Sequence, residues 1–183
     1  MKQKLLLLAF TSLISISLFS QTDKGWRSVG GTGIIRLDFK DKAYNFGLSP
    51  ELYWFVGNSF ALGTDFGFGF GSAKANDSIS SSSFNAYVAP GARFYFRDPE
   101  KKWRPYAFLN AGLETYADHN KFGATKTNNT GTGFLGYAGA GLAWFFNEHA
   151  AFDMRLHVID FSRNNAAFNP TFTIGIQAFF HHE

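Results

Sequence analysis

Residues 60–71 read Phe60-Ala61-Leu62-Gly63-Thr64-Asp65-Phe66-Gly67-Phe68-Gly69-Phe70-Gly71. In an extended chain successive side chains point to opposite faces, so residues two apart share a face. One face of this stretch carries Phe60, Leu62, Thr64, Phe66, Phe68 and Phe70. The other carries Ala61, Gly63, Asp65, Gly67, Gly69 and Gly71. A helix would scatter the two sets around its circumference. The period of two predicts a strand.

The same period recurs in seven further segments: 28–39, 44–56, 84–96, 104–117, 133–146, 150–161 and 171–180. No comparably long window places apolar residues at i, i+3, i+4 and i+7, so no substantial helix is expected beyond the first twenty residues. Eight strands separated by turn signals predict a barrel or a sandwich. The apolar face includes Val29, Ile35, Phe46, Leu52, Val88, Leu109, Leu142, Leu156 and Ile176, and none of its members is charged. The strand charges gather on the opposite face, as Arg36, Asp38, Glu51, Asp65, Arg93, Glu114, Asp153 and Arg155, with His157 alongside.

Composition narrows the class. The chain has 183 residues, enough for one domain. Aromatic residues reach 19%, with 23 Phe and 19 Gly, while charged residues stop at 17%. Soluble domains average about 25% charged. A disordered chain would lack these apolar and aromatic residues. The mean hydropathy of −0.12 is the average of an apolar face and a Gly-rich, charged one. Cysteine is absent, which excludes disulfides, thiolate metal sites, a catalytic thiol and lipid attachment through an N-terminal Cys. No concentrated basic stripe is present, so nucleic acid is not an expected partner.

Residues 1–20 form the pattern of an export signal. Lys2 and Lys4 give a positive start, Leu5 to Phe19 an apolar run, and Ser20 a small residue before Gln21. The run is shorter than the ~20 residues of a spanning helix. Its removal would leave residues 21–183 as a single barrel domain and would take two positive charges from the net +3.

A soluble sandwich would turn its apolar face inward and its charges to water. A transmembrane barrel does the reverse. The charge-bearing face here is rich in Gly, Tyr and Asn and poor in Lys, which favours the second. Aromatic residues also cluster at the strand ends beside the short turns 57–59, 97–102 and 147–149. They are Trp54, Phe60, Phe94, Phe96, Trp144, Phe146 and Phe152, and Phe180 closes the last strand at the same end, the pattern of a girdle at one membrane interface. The longer connections 72–83, 118–132 and 162–170 fall at the other end and are expected as polar surface loops. Short turns face the periplasm in bacterial barrels, which would put both termini there. Pro50 and Pro90 fall mid-strand, where a missing N–H predicts a bulge or a broken ladder.

With eight alternating strands, short turns opposite long connections, and the closing Thr171-Phe-Thr-Ile-Gly-Ile-Gln-Ala-Phe-Phe180, the sequence resembles the small outer-membrane β-barrel family. The OmpA transmembrane domain and OmpX are of this kind. The resemblance covers residues 26–180. It implies an eight-stranded antiparallel up-and-down barrel in the bacterial outer membrane, in contact with its lipid. It also implies recognition of the last strand by the barrel-insertion machinery, although His181-His182-Glu183 follow the Phe. An activity is not implied.

The interior of an eight-stranded barrel is just wide enough for side chains to fill. The inward charges are therefore expected to pair and plug the lumen. The alternative is a narrow polar pore lined by the same groups. Inward glycines such as Gly63, Gly67, Gly69, Gly139 and Gly141 would make room for Arg and Tyr. An enzymatic reading, lipid A modification, would use His157, Asp160 and Ser162. In a regular strand residues 157 and 162 point to opposite faces, which opposes it. His181 and His182 read as a tail rather than a metal site, and no cofactor is expected. The expected role is structural or surface interaction, with a surface or envelope protein as the partner. Outer-membrane fractions should contain a band whose gel migration shifts on boiling; a chain found only in soluble fractions would refute the barrel reading.

Overall fold

The computed structural model describes residues 24–38, 43–76, 78–96, 101–162 and 165–181, with side chains for these except 34–38, 75–76, 161–162 and 165–169. The predicted leader, residues 1–20, lies outside the described residues. Eight strands follow one another: β1 (Trp26–Asp38), β2 (Ala43–Gly57), β3 (Phe60–Asn76), β4 (Ile79–Tyr95), β5 (Trp103–Phe122), β6 (Thr125–Asn147), β7 (Ala150–Ser162) and β8 (Asn165–His181). Each is antiparallel to the next, and β1 pairs with β8 to close the barrel. The closing seam runs from Trp26 opposite His181 to Thr32 opposite Gly175. It is the shortest among the described pairings.

Parity decides what faces outward. Phe46, Leu48, Phe66, Phe68, Leu109, Leu113, Ile174 and Ile176 are all exposed. Their neighbours one residue away turn into the ring, where Tyr53, Phe55, Tyr106, Phe145 and Phe179 are almost completely buried. At the short-turn end β2 joins β3 through Asn58-Ser59, and β6 joins β7 through Glu148-His149. Ser59 takes a left-handed backbone, φ 66°, as such tight reversals require.

The long-hairpin end differs from expectation. The connections 72–83 and 118–132 are largely strand, because β3 and β4 continue to Asn76 and Ile79, and β5 and β6 to Phe122 and Thr125. Between β7 and β8 only 163–164 intervene, and these lie outside the described residues. β5 and β6 have 20 and 23 residues, about twice the ~9–11 needed to cross a bilayer. Where both faces of a strand meet water, hydropathy does not alternate. The Ser- and Asn/Thr-rich stretches therefore carry no period-two signal although their backbones pair.

The interior is fitted by complementary pairs directly across the strands. Gly63 stands opposite Tyr53, Gly67 opposite Tyr87, Gly139 opposite Phe108 and Gly141 opposite Tyr106. A Cβ on any of these glycines would collide with its partner's ring or with the neighbouring backbone. The space goes to Tyr and Phe rings; none of these four glycines makes room for Arg. Both mid-strand prolines break the ladder without shifting its register. β2–β3 pairing is interrupted between Leu48 and Glu51, and β4–β5 pairing between Val88 and Gly91. At the second gap Asn110 Nδ2 donates to the Ala89 carbonyl at 3.1 Å and to the Tyr53 hydroxyl oxygen at 2.7 Å. A side chain thus replaces a missing ladder bond.

Gly67→Val should force the Tyr87 ring off its seat and lower stability by about 1–3 kcal/mol, read by urea unfolding in micelles. Adding Tyr87→Ala should recover part of that loss, so that a double-mutant cycle gives a coupling of about 0.5–3 kcal/mol.

Candidate functional site

The lumen is organised in three levels. At the short-turn end Phe55, Tyr95, Phe145 and Phe179 pack ring to ring, with centroids 5.5 Å apart for Phe55–Tyr95 and 4.8 Å for Phe145–Phe179. Arg104, completely buried, lies over the Phe145 ring at 4.2 Å and donates from Nε to the Lys101 carbonyl at 2.9 Å. This residue escaped the sequence reading because it stands first in the alternating segment 104–117. Its parity with Tyr106 and Phe108 is the signal that would have found it.

Above this seal lies a layer of charge. β2 supplies Glu51, β3 Asp65, β4 Arg93, and β7 both Asp153 and Arg155; all five are buried. Arg93 grips Glu51 with both ends of its guanidinium, Nη1 to Oε1 at 3.0 Å and Nη2 to Oε2 at 2.7 Å. Such forked pairs are the strongest geometry available to Arg and carboxylate. Arg155 donates from Nη2 to the same Glu51 oxygen and from Nε to Asp153 at 2.5 Å. Asp65 lies 3.6 Å from each guanidinium. Tyr106 donates to Asp153 and Tyr137 to Asp65, the latter at 2.9 Å. The Arg93 guanidinium also sits over the Tyr53 ring at 3.7 Å. Each charge is thus met by opposite charge and by hydrogen bonds, the condition for burying it. Glu114 is buried on the long-hairpin side of the layer, where it accepts from Asn85 Nδ2 at 3.2 Å. The side chains of Arg36 and Asp38 lie outside the described residues.

The third level, on the long-hairpin side, is a cup of about 540 Å³. Asp65 and Arg155 form part of its floor, and Tyr87, Tyr137, His157 and Asp160 part of its wall. His157 and Asp160 share this interior although three residues apart, because the β6–β7 register slips between His157 and Ile159. The slip leaves Val158 as an extra residue, as in a β-bulge. Pro170 stands across from it, in the interval where β8 pairing also breaks. The regular-strand argument that separates residues 157 and 162 therefore fails. The side chain of Ser162 lies outside the described residues, as does His182. Among the described residues no three His, Cys, Asp or Glu side chains gather as a metal centre.

Outside the barrel, Trp54, Phe60, Phe94, Phe96, Trp144, Phe146, Phe152 and Phe180 are all exposed. Trp144 stacks on Trp103 at 5.3 Å and on Phe152 at 5.8 Å. Trp103 joins this band and was missed because it precedes the first alternating pair of its strand.

The profile of the family described as Outer membrane protein beta-barrel domain matches residues 6–180. No curated protein matches the chain. Among solved structures, Ail, the attachment invasion locus protein of Yersinia pestis, is 16% identical with a TM-score of 0.55, covering 86% of this chain and 99% of that one. OprG from Pseudomonas aeruginosa is 14% identical with a TM-score of 0.52, over 90% of this chain and 100% of that one. The N-terminal β-barrel domain of Pseudomonas aeruginosa OprF is 18% identical with a TM-score of 0.50, over 86% and 98%. These likenesses are of fold.

Glu51→Gln should leave two buried guanidinium groups short of a counter-charge and lower stability by about 3–5 kcal/mol. Glu148→Gln, in a surface turn beside His149, should change it by no more than about 1 kcal/mol. Urea titration of both variants in micelles checks the contrast.

Proposed function

The chain belongs to the outer membrane protein beta-barrel domain family, and we propose that this barrel is a non-conducting outer-membrane protein that works through surface contacts. The observation that carries the reading is the Glu51–Arg93–Arg155–Asp153 layer. Its four side chains are each 3% exposed or less, and the aromatic seal lies directly beneath it. A conducting path would have to part a forked ion pair and expose both partners within the lumen, a change that costs several kcal/mol.

The surface for contact is the β5–β6 hairpin. β6 pairs with β7 only from Leu135 onward. Among the described residues, Thr125–Phe134 pair with β5 alone and present a second, unpaired edge. Such an edge is a template for an added strand from another protein. The short-turn end carries the aromatic band, which suits a bilayer interface. In this reading the termini are periplasmic, the hairpin is extracellular, and the last strand is what the insertion machinery recognises. The partner is a surface or envelope protein that offers an extended segment.

In planar bilayers the purified barrel should give no steady single-channel currents; such currents would establish the pore instead. Lipid A extracted with and without the protein should show the same acyl pattern by mass analysis. An altered pattern would establish the lipid-modifying alternative.

A further inference from the structure

Among the described residues, the cup above the charged layer has an excess of carboxylate. In the layer three acids, Glu51, Asp65 and Asp153, share two guanidinium groups, Arg93 and Arg155. Glu114 is buried on the cup side of that layer against an amide, and Asp160 stands on the cup wall. Arg104 is held at the far end by the Lys101 carbonyl and the Phe145 ring. Two polar atoms of the cup lining accept or donate no hydrogen bond: Thr173 Oγ1, and Asp65 Oδ1, which faces Arg93 Nη2 at 3.6 Å. Their residues are only 3% and 7% exposed. Buried polar atoms without a hydrogen bond are rare and mark places where a further group belongs.

We propose that the cup binds a small organic ammonium ion, with Asp65 at the floor and Asp160 on the wall as counter-charges. The Thr173 hydroxyl oxygen is an additional acceptor for its N–H groups. The rings of Tyr87, Tyr137 and His157 supply faces for its carbon chain. Tyr87 and Tyr137 meet edge to face at 6.3 Å, and His157 lies 5.2 Å from Tyr137. An ammonium group is satisfied by separate acceptors and by aromatic faces. A bare divalent cation instead needs several oxygens converging on one point, and no such cluster exists among the described residues. An anion would face Asp65 and Asp160, and Arg155, beside Asp65 on the floor, already gives Nε and Nη2 to Asp153 and Glu51. The volume of about 540 Å³ lies within the ~300–1,000 Å³ usual for small-molecule sites. This inference goes beyond the surface-contact reading and does not depend on the hairpin.

The test is calorimetric titration of the full barrel in micelles, its folded state verified by the gel shift on boiling. The probes are n-butylammonium chloride, sodium butyrate and sodium chloride. Butylammonium should bind saturably at one site, and the two sodium salts should not. Asp160→Asn should weaken binding by roughly tenfold, the worth of one charge-assisted hydrogen bond. Asp65→Asn should weaken it at least as much. Asp160 stands outside the ion-pair layer, so its variant remains informative if Asp65→Asn fails to fold. Saturable binding of butyrate or sodium would overturn the proposal. So would a folded barrel that ignores butylammonium, or undiminished binding by the folded Asp160→Asn protein.

Discussion

An N–H or C=O group without a partner in hydrocarbon costs several kcal/mol, and a sheet with two free edges would expose two rows of them. The return of β1 to β8 removes both rows within the bilayer. Everything else follows from that closure. A ring of eight strands has a fixed and narrow interior, so the inward side chains must fill it and must find their partners among themselves. The lipid outside imposes no such matching. It asks only that Phe46, Leu109 or Ile174 be apolar, which is why that surface can be so uniformly hydrophobic.

The interior resolves its constraint differently along the axis. Near the short turns it is an apolar core of stacked rings with one guanidinium laid over them. In the middle it is an ion-pair layer whose acids and bases come from four strands. Toward the hairpins it is a polar cup. Where proline interrupts the ladder, the repair comes from within the lumen, as Asn110 shows at Ala89. The polar interior therefore also mends the wall, and Asn110 belongs to both.

Much of the fold is legible in residues 60–71 and their counterparts, because lipid on one side and packed side chains on the other print a period of two. The printing stops at the membrane surface. The outer turns of β5 and β6 meet water on both sides, and their pairing is carried by backbone bonds that composition does not reveal. Parity assigns Glu51 and Arg93 to one side of the sheet. That they grip one another, or that Tyr137 reaches Asp65 across 72 residues of sequence, depends on strand register and is invisible to it. The convergence of His157 and Asp160 hinges on one extra residue in β7, for which Pro170 across the ladder is the only local hint.

The glycine–ring pairs of the lumen set how such a barrel can change its sequence over time. Enlarging Gly141 alone overlaps Tyr106, and shrinking Tyr106 alone leaves a void, so each single step is penalised while the joint exchange recovers part of the loss. The unit of inheritance is then the cross-strand couple rather than the residue. Two barrels can exchange their couples one after another, keep the same wall and the same bore, and end with little sequence in common. Resemblance of shape at 14–18% identity is what this mode of drift produces.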